Sequence, residues 1–234
     1  MPFHKTAILS LVGVLLAHSP STAKDEPSAE LFKDDFSGFR AGLIFDVVGA
    51  HTEYHYLSQL APRGKWAVSS FKSDGSQRAW RVIEENGTRV MYQSYEDTKT
   101  NFTHAMLVAG DALWENYQIT ARFAPDSDKG QSGIIFRYRN DRCYYFFGVN
   151  GPKAVLKMVR HETAYHKPYE KILAEKEFTW TPGAYLTAVV EVEGSRIRAR
   201  LNDTLSLEAD DKTYLQGKIA LMSDVPTRYK DIRV

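Results

Sequence analysis

Histidine and glutamate recur at a spacing of two in the run Gly49-Ala50-His51-Thr52-Glu53-Tyr54-His55-Tyr56. In extended backbone successive side chains alternate, so His51, Glu53 and His55 project to one side. Two imidazoles and a carboxylate so placed suit a transition metal. They suit equally the acid, base and orienting roles beside a sugar. A surface loop whose aromatics pack down on a sheet explains the same residues without a ligand. A further pair, His161 and His166, lies within residues 160–169. Its approach to His51 and His55 would make one site; separation would leave surface side chains. Carboxylates come from both ends of the chain, Asp34 and Asp35 near the start and Asp224 and Asp231 near the end. A fold that joins its ends could gather these oxygens around a structural calcium ion, and the alternative is a set of solvated carboxylates.

Arginine and aromatic residues alternate in Phe136-Arg137-Tyr138-Arg139, with Tyr145 following in the next apolar run. One strand then carries rings on one face and guanidinium groups on the other. Rings stack on the C–H faces of sugars while polar neighbours bond hydroxyls. Arg137 and Arg139 would also pair bidentately with the carboxylate of an acidic sugar such as a uronate. A charged outer face with no ligand explains the alternation as well. Trp66 belongs to a connection, residues 45–71, that is too long for a plain loop, and such loops often carry function. It is the tryptophan best placed for a ligand, whereas Trp80 and Trp114 sit in packing contexts.

The elements that must position these groups are strands. Residues 134–138 and 144–149 flank a polar turn at 139–142, which reads as a hairpin with one face in a core. Residues 80–84 and 88–94 form another, with Asn86-Gly87 at the turn. Residues 185–193 pair with 196–202 across Gly194-Ser195. There Glu191 and Glu193 face Arg196, Arg198 and Arg200, a solvated charge ladder rather than a catalytic carboxylate pair. Period-two alternation dominates, and no window of ordinary helical length keeps an apolar stripe apart from a turn of helix near 113–116. The expectation is an all-β, two-sheet antiparallel jelly-roll sandwich whose concave face is the place for an extended ligand.

Residues 1–23 read as a secretory signal peptide: Lys5, an apolar run over 6–17, then Ser21-Thr22-Ala23. That run is short for a bilayer span, and no later segment reaches spanning length. The remaining roughly 200 residues, 24–234, suffice for one all-β domain, secreted or periplasmic. Cys143 is the only cysteine, so no internal disulfide forms, and its aromatic strand marks it as a small hydrophobe. A net charge of +1 with both signs mixed argues against nucleic acid or an anionic membrane as partner. Sequons at Asn86, Asn101 and Asn202 would be glycosylated only in a eukaryotic host.

The run Ser-Gly-Ile-Ile-Phe-Arg-Tyr-Arg-Asn-Asp-Arg-Cys-Tyr-Tyr-Phe-Phe-Gly-Val, residues 132–149, resembles the central hairpin of concanavalin A-like jelly rolls. It is similar in particular to LamG-like domains and to the family named for 3-keto-disaccharide hydrolase. Leu31-Phe32-Lys33-Asp34-Asp35-Phe36, residues 112–123, and residues 217–221 with 229–234 fit the same resemblance. Together they cover nearly all of the chain after residue 30. The resemblance implies a concanavalin A-like architecture and sugar chemistry. The paired Glu and intervening Asp of laminarinase-like hydrolases are missing. The relatives named for keto-disaccharide hydrolysis usually keep a Glu and a Gln where this chain has Tyr144-Tyr145-Phe146-Phe147.

The leading expectation is an exported carbohydrate-recognising domain of a polysaccharide-processing system, binding an oligo- or polysaccharide, neutral or acidic. Arg137, Arg139, Tyr145 and His166 would serve it with Trp66, His51 and His55 of the long loop, and a catalytic partner domain, covalent or separate, stays open. The rival is a glycoside or keto-glycoside hydrolase, or a lyase, using His51, Glu53, His55 and His161. An adhesion module is the third reading. Rings over the concave face favour binding, a histidine cluster there favours an enzyme, and ion pairs filling it favour adhesion.

Overall fold

The computed structural model describes residues 29–44, 65–69, 78–96, 104–164 and 167–234, with Met1 and Gly75. In chain order its strands are β1 (Lys33–Asp34), β2 (Gly42–Leu43), β3 (Ala67–Ser69), β4 (Trp80–Glu85), β5 (Thr88–Gln93), β6 (Ala105–Ala109), β7 (Tyr117–Pro125) and β8 (Gln131–Asn140). They continue with β9 (Cys143–Asn150), β10 (Lys153–Ala164), β11 (Lys167–Glu177), β12 (Leu186–Glu193), β13 (Arg196–Leu201), β14 (Leu205–Asp210), β15 (Lys218–Ser223) and β16 (Thr227–Arg233). All pair antiparallel. One sheet of nine strands runs β14-β13-β12-β7-β16-β5-β4-β2, with β1 added along the far half of β16. The other, of seven, runs β11-β10-β9-β8-β15-β6-β3. The last two strands are interior to the sheets: β15 lies between β8 and β6, and β16 between β7 and β5.

Alternation builds the core. Val82 and Trp80 of β4, Phe123 of β7 and Tyr229 of β16 face Phe136, Tyr145, Phe147, Leu156 and Leu221 of the second sheet in one apolar cluster. Phe136 and Tyr145, directly paired across β8 and β9, stack at 5.3 Å between centroids. The β4–β5 turn takes the left-handed angles that Asn-Gly favours, φ 49° at Asn86 and 76° at Gly87. The ladder of β12 and β13 forms in register, with Glu191 opposite Arg198 and their side chains 2.6 Å apart.

Other parts depart from the sequence expectation. Residues 160–164 end β10 and residues 167–169 open β11, a long strand that the sequence did not announce. Residues 112 and 113 form a turn, and residues 113–116 contain no helix. The central hairpin turns on Asp141 and Arg142 alone, so its strands run further than expected. Most consequentially, β8 does not alternate throughout. After the Phe136–Tyr145 pair the next matched pair is Asn140–Cys143, and Arg137 carries a left-handed φ of 49°. This is a bulge, which re-aims the side chains beyond it.

Candidate functional site

The two outer faces of the sandwich differ in kind. On the nine-stranded sheet charges neutralise one another. Tyr185 donates to Glu85 at 2.6 Å, and Glu85 also takes Arg228 at 2.6 Å and Lys230 at 3.6 Å. Arg228 reaches Asp126 at 3.2 Å, and Lys230 sits 3.7 Å from the centroid of the Tyr185 ring. Burial raises the Glu85 carboxyl, but the bonds from Tyr185 and Arg228 and the charges of Arg228 and Lys230 outweigh it and hold the pKa below its ordinary value.

On the seven-stranded sheet the outer face is apolar and aromatic. Met106, Val108, Ile135, Tyr138, Tyr144, Phe146, Val159, Ala220 and Met222 form a second buried cluster, separate from the core. Polar groups are set into it by pairs. Lys157, buried on β10, donates to Glu170 of β11 at 2.7 Å and lies 5.5 Å over the Phe146 ring. Ser69 and Tyr138 share a hydroxyl hydrogen bond of 2.5 Å, and Tyr144 donates to the Met222 sulfur at 3.9 Å. Burial pushes the Tyr144 phenol well above its ordinary range, so it stays a donor. At one end, the His104 Nδ1 is 2.5 Å from Asp224 Oδ1, and Gln131 donates to the other Asp224 oxygen at 3.1 Å.

Few of the side chains singled out from sequence lie on this face. His51, Glu53, His55 and His166 fall outside the described residues. Trp66 is not a ligand platform: it is fully buried, edge-on to Phe32 at 5.4 Å, and its indole donates to Asp34 Oδ2 at 2.8 Å. Arg137 is likewise withdrawn. The bulge turns its guanidinium inward, where it donates to the carbonyls of Gly194 at 2.6 Å, Tyr214 at 3.0 Å and Glu115 at 3.2 Å. Its own N–H donates to the Tyr117 hydroxyl at 2.8 Å. It therefore clamps three connections at one end of the sandwich. Tyr145 is in the core, its hydroxyl donating to Asp211 Oδ1 at 2.7 Å and accepting from the Tyr214 N–H at 3.2 Å. Arg139 and His161 are exposed. His161, two residues beyond Val159, falls on the outer face by alternation.

The carboxylates proposed for calcium do not gather either. Asp34 spends its oxygens on the Trp66 indole and the Phe36 N–H. Asp35 caps a local turn through Ser37, and Asp231 pairs with Arg122 at 3.4 Å. Among the described residues no group of three carboxylate, histidine or cysteine side chains converges as a metal site would require. The residues missed from sequence are His104, Gln131, Lys157 and Glu170, and Asp224, singled out there for calcium, instead joins His104 and Gln131. Only the register of neighbouring strands brings them together.

Two antiparallel sheets packed face to face, with the central hairpin in the seven-stranded layer, define a jelly-roll sandwich. The chain belongs to the 3-keto-alpha-glucoside-1,2-lyase-like domain family, whose model matches residues 64–234. Among solved structures, the carbohydrate-binding module CBM66 from Bacillus subtilis aligns at 13% identity with a TM-score of 0.51, over 66% of this chain and 93% of that one. LamA from Z. galactanivorans, in complex with laminaritriose and laminaritetraose, aligns at 12% identity and a TM-score of 0.54, over 87% and 97%. A xylan beta-1,4-xylosidase from Bacillus halodurans aligns at 10% identity and a TM-score of 0.51, over 74% of this chain but 37% of its own. At such identities these likenesses establish the fold. No curated protein matches the chain. Among the described residues no helix is long and apolar enough to cross a membrane.

Proposed function

We propose that this protein is a carbohydrate-recognising jelly-roll domain, exported after removal of residues 1–23, that takes its saccharide on the outer face of the seven-stranded sheet. The observation that carries this reading is the contrast between the two outer faces. The nine-stranded sheet is filled by ion pairs, whereas the seven-stranded sheet sets polar side chains into an aromatic and aliphatic floor. Apolar walls with a few directed polar groups are how sugar and other small-molecule sites are built, and here side chains of both kinds are buried together. Family membership and the carbohydrate-binding module with the same fold support it.

A second reading, a sugar-cleaving lyase or hydrolase, draws on the family description. Against it stands Tyr144-Tyr145-Phe146-Phe147, the stretch where the resemblance implies a Glu and a Gln, of which Tyr144 and Phe146 lie on this face.

One experiment separates the readings: calorimetric titration of residues 24–234 with neutral and acidic oligosaccharides, followed by product analysis of each mixture. Binding without products, weakened about three- to tenfold by Tyr138→Phe and unaffected by Lys230→Ala, is the expected result. Products would establish the enzyme instead. No heat with any saccharide would overturn carbohydrate recognition.

A further inference from the structure

Strands β8, β15 and β6 are neighbours in the seven-stranded sheet, so their adjacent ends meet. Gln131 opens β8, Asp224 follows β15 and His104 precedes β6. Alternation from Gly133, Met222 and Met106 places all three side chains on the outer face. The Asp224 N–H donates to the Gln131 carbonyl at 2.9 Å, which extends the ladder by one step and fixes the two residues relative to each other.

The hydrogen-bond accounting at this cluster does not close. An ionised Asp224 only accepts, so the hydrogen of the 2.5 Å bond comes from His104 Nδ1, and with the ring neutral its Nε2 is an acceptor. The Gln131 amide donates its Nε2 to Asp224 at 3.1 Å, which leaves Oε1 as an acceptor too. Both His104 Nε2 and Gln131 Oε1 are buried and have no partner. His104 itself is 6% exposed. A buried polar atom without a partner is a cost that native structures rarely carry, and here two belong to side chains anchored on one carboxylate.

We propose that His104, Asp224 and Gln131 form a hydroxyl-docking subsite that receives two donated hydrogen bonds from neighbouring hydroxyls of a neutral saccharide. Asp224 is the positioning residue: it sets the tautomer of His104 and the amide orientation of Gln131. The chemistry is selective. With the ring neutral both unpartnered groups accept, so a carboxylate, sulfate or phosphate has nothing to offer them, and the Asp224 charge repels such anions. An acidic sugar would dock here only through its hydroxyls. The subsite rests on the carbohydrate reading above and narrows it to diol-bearing neutral sugars.

The test follows the imidazole nitrogens of His104 by NMR in 15N-labelled protein at pH 8, during titration with laminaritriose, cellotriose, xylotriose and trigalacturonate. At least one neutral trisaccharide is expected to move the Nε2 resonance saturably in the direction of an accepted hydrogen bond. Asp224→Asn keeps the shape but presents an N–H to His104 Nδ1, so Nε2 takes the hydrogen and becomes a donor. That variant is expected to bind the same trisaccharide at least about tenfold more weakly, and Gln131→Met about three- to tenfold more weakly. Heat of binding from a neutral trisaccharide with an unmoved Nε2 and undiminished affinity in Asp224→Asn would overturn the subsite and leave carbohydrate recognition standing. Binding of trigalacturonate alone would do the same. No binding by any of the four would overturn both.

Discussion

Replacing Arg137 tests whether it is a clamp or a ligand residue. The guanidinium is charged and donates to three main-chain carbonyls at 2.6, 3.0 and 3.2 Å. Hydrogen bonds from charged groups contribute about 1.5–3 kcal/mol each. Gly194 and Glu115 are exposed residues, so water can replace the donor at those two carbonyls, and the low end of the range applies. Arg137→Ala is therefore expected to lose about 4.5–6 kcal/mol of stability, roughly 10–20 °C in Tm for a domain of this size. Arg137→Gly offers an internal check. The left-handed backbone, φ 49°, costs a non-glycine residue about 1–2 kcal/mol that glycine does not incur. Arg137→Gly should thus be about 1 kcal/mol more stable than Arg137→Ala despite losing the same bonds. Arg137→Lys should recover little, because one ammonium cannot span three diverging carbonyls. Urea unfolding followed by near-ultraviolet circular dichroism gives the stabilities, and calorimetry at a temperature where all variants are folded gives saccharide affinity. Stability within about 1 kcal/mol of wild type together with lost saccharide binding would refute the clamp and restore Arg137 as a ligand residue.

Three other perturbations have defined outcomes. Trp66→Phe keeps the ring among Phe32 and Phe36 but gives up the bond to Asp34. It should cost about 1–3 kcal/mol in urea unfolding while saccharide affinity is unchanged. At Gly217 an added Cβ would lie 2.5 Å from the Arg137 carbonyl carbon and 2.6 Å from the Tyr138 oxygen, with φ at 152°. Gly217→Ala should therefore destabilise by more than about 2 kcal/mol, measured the same way. Glu85 has a folded pKa below its ordinary value of 4.5. A depressed carboxylate stabilises fully above its unfolded pKa and loses that contribution as pH falls through the folded one. The stability gap between wild type and Glu85→Gln should accordingly shrink between about pH 6 and about pH 3, and a gap constant with pH would contradict the assignment.

What the sequence made legible was local. Asn86-Gly87 dictates the β4–β5 turn because both residues tolerate positive φ, and the structure has them there. The Glu191 and Arg198 ladder could be read because two strands joined by Gly194-Ser195 admit one register. Arg137 could not be placed, because alternation holds only until a bulge, and nothing in Phe136-Arg137-Tyr138 announces one. Trp66 looked like a loop residue because β3, which follows it at once, is only three residues long. Residues 167–177 are rich in Lys and Glu and hid β11, an edge strand whose exposed side chains suppress the apolar signal. His104, Gln131 and Asp224 were illegible for another reason. Asp224 is 120 residues from His104 and 93 from Gln131, so only the sheet order makes them neighbours.

The interior position of β15 and β16 has a consequence for how the protein is made. A chain synthesised only as far as β14 has β8 and β6 but no strand to join them, and β7 and β5 in the same condition. Each layer is then two fragments with unpaired edges, and the apolar faces that would seal the core have no complete partner. Completion of both sheets must wait until β15 and β16 have been made, and pairing over such long sequence separations is slow.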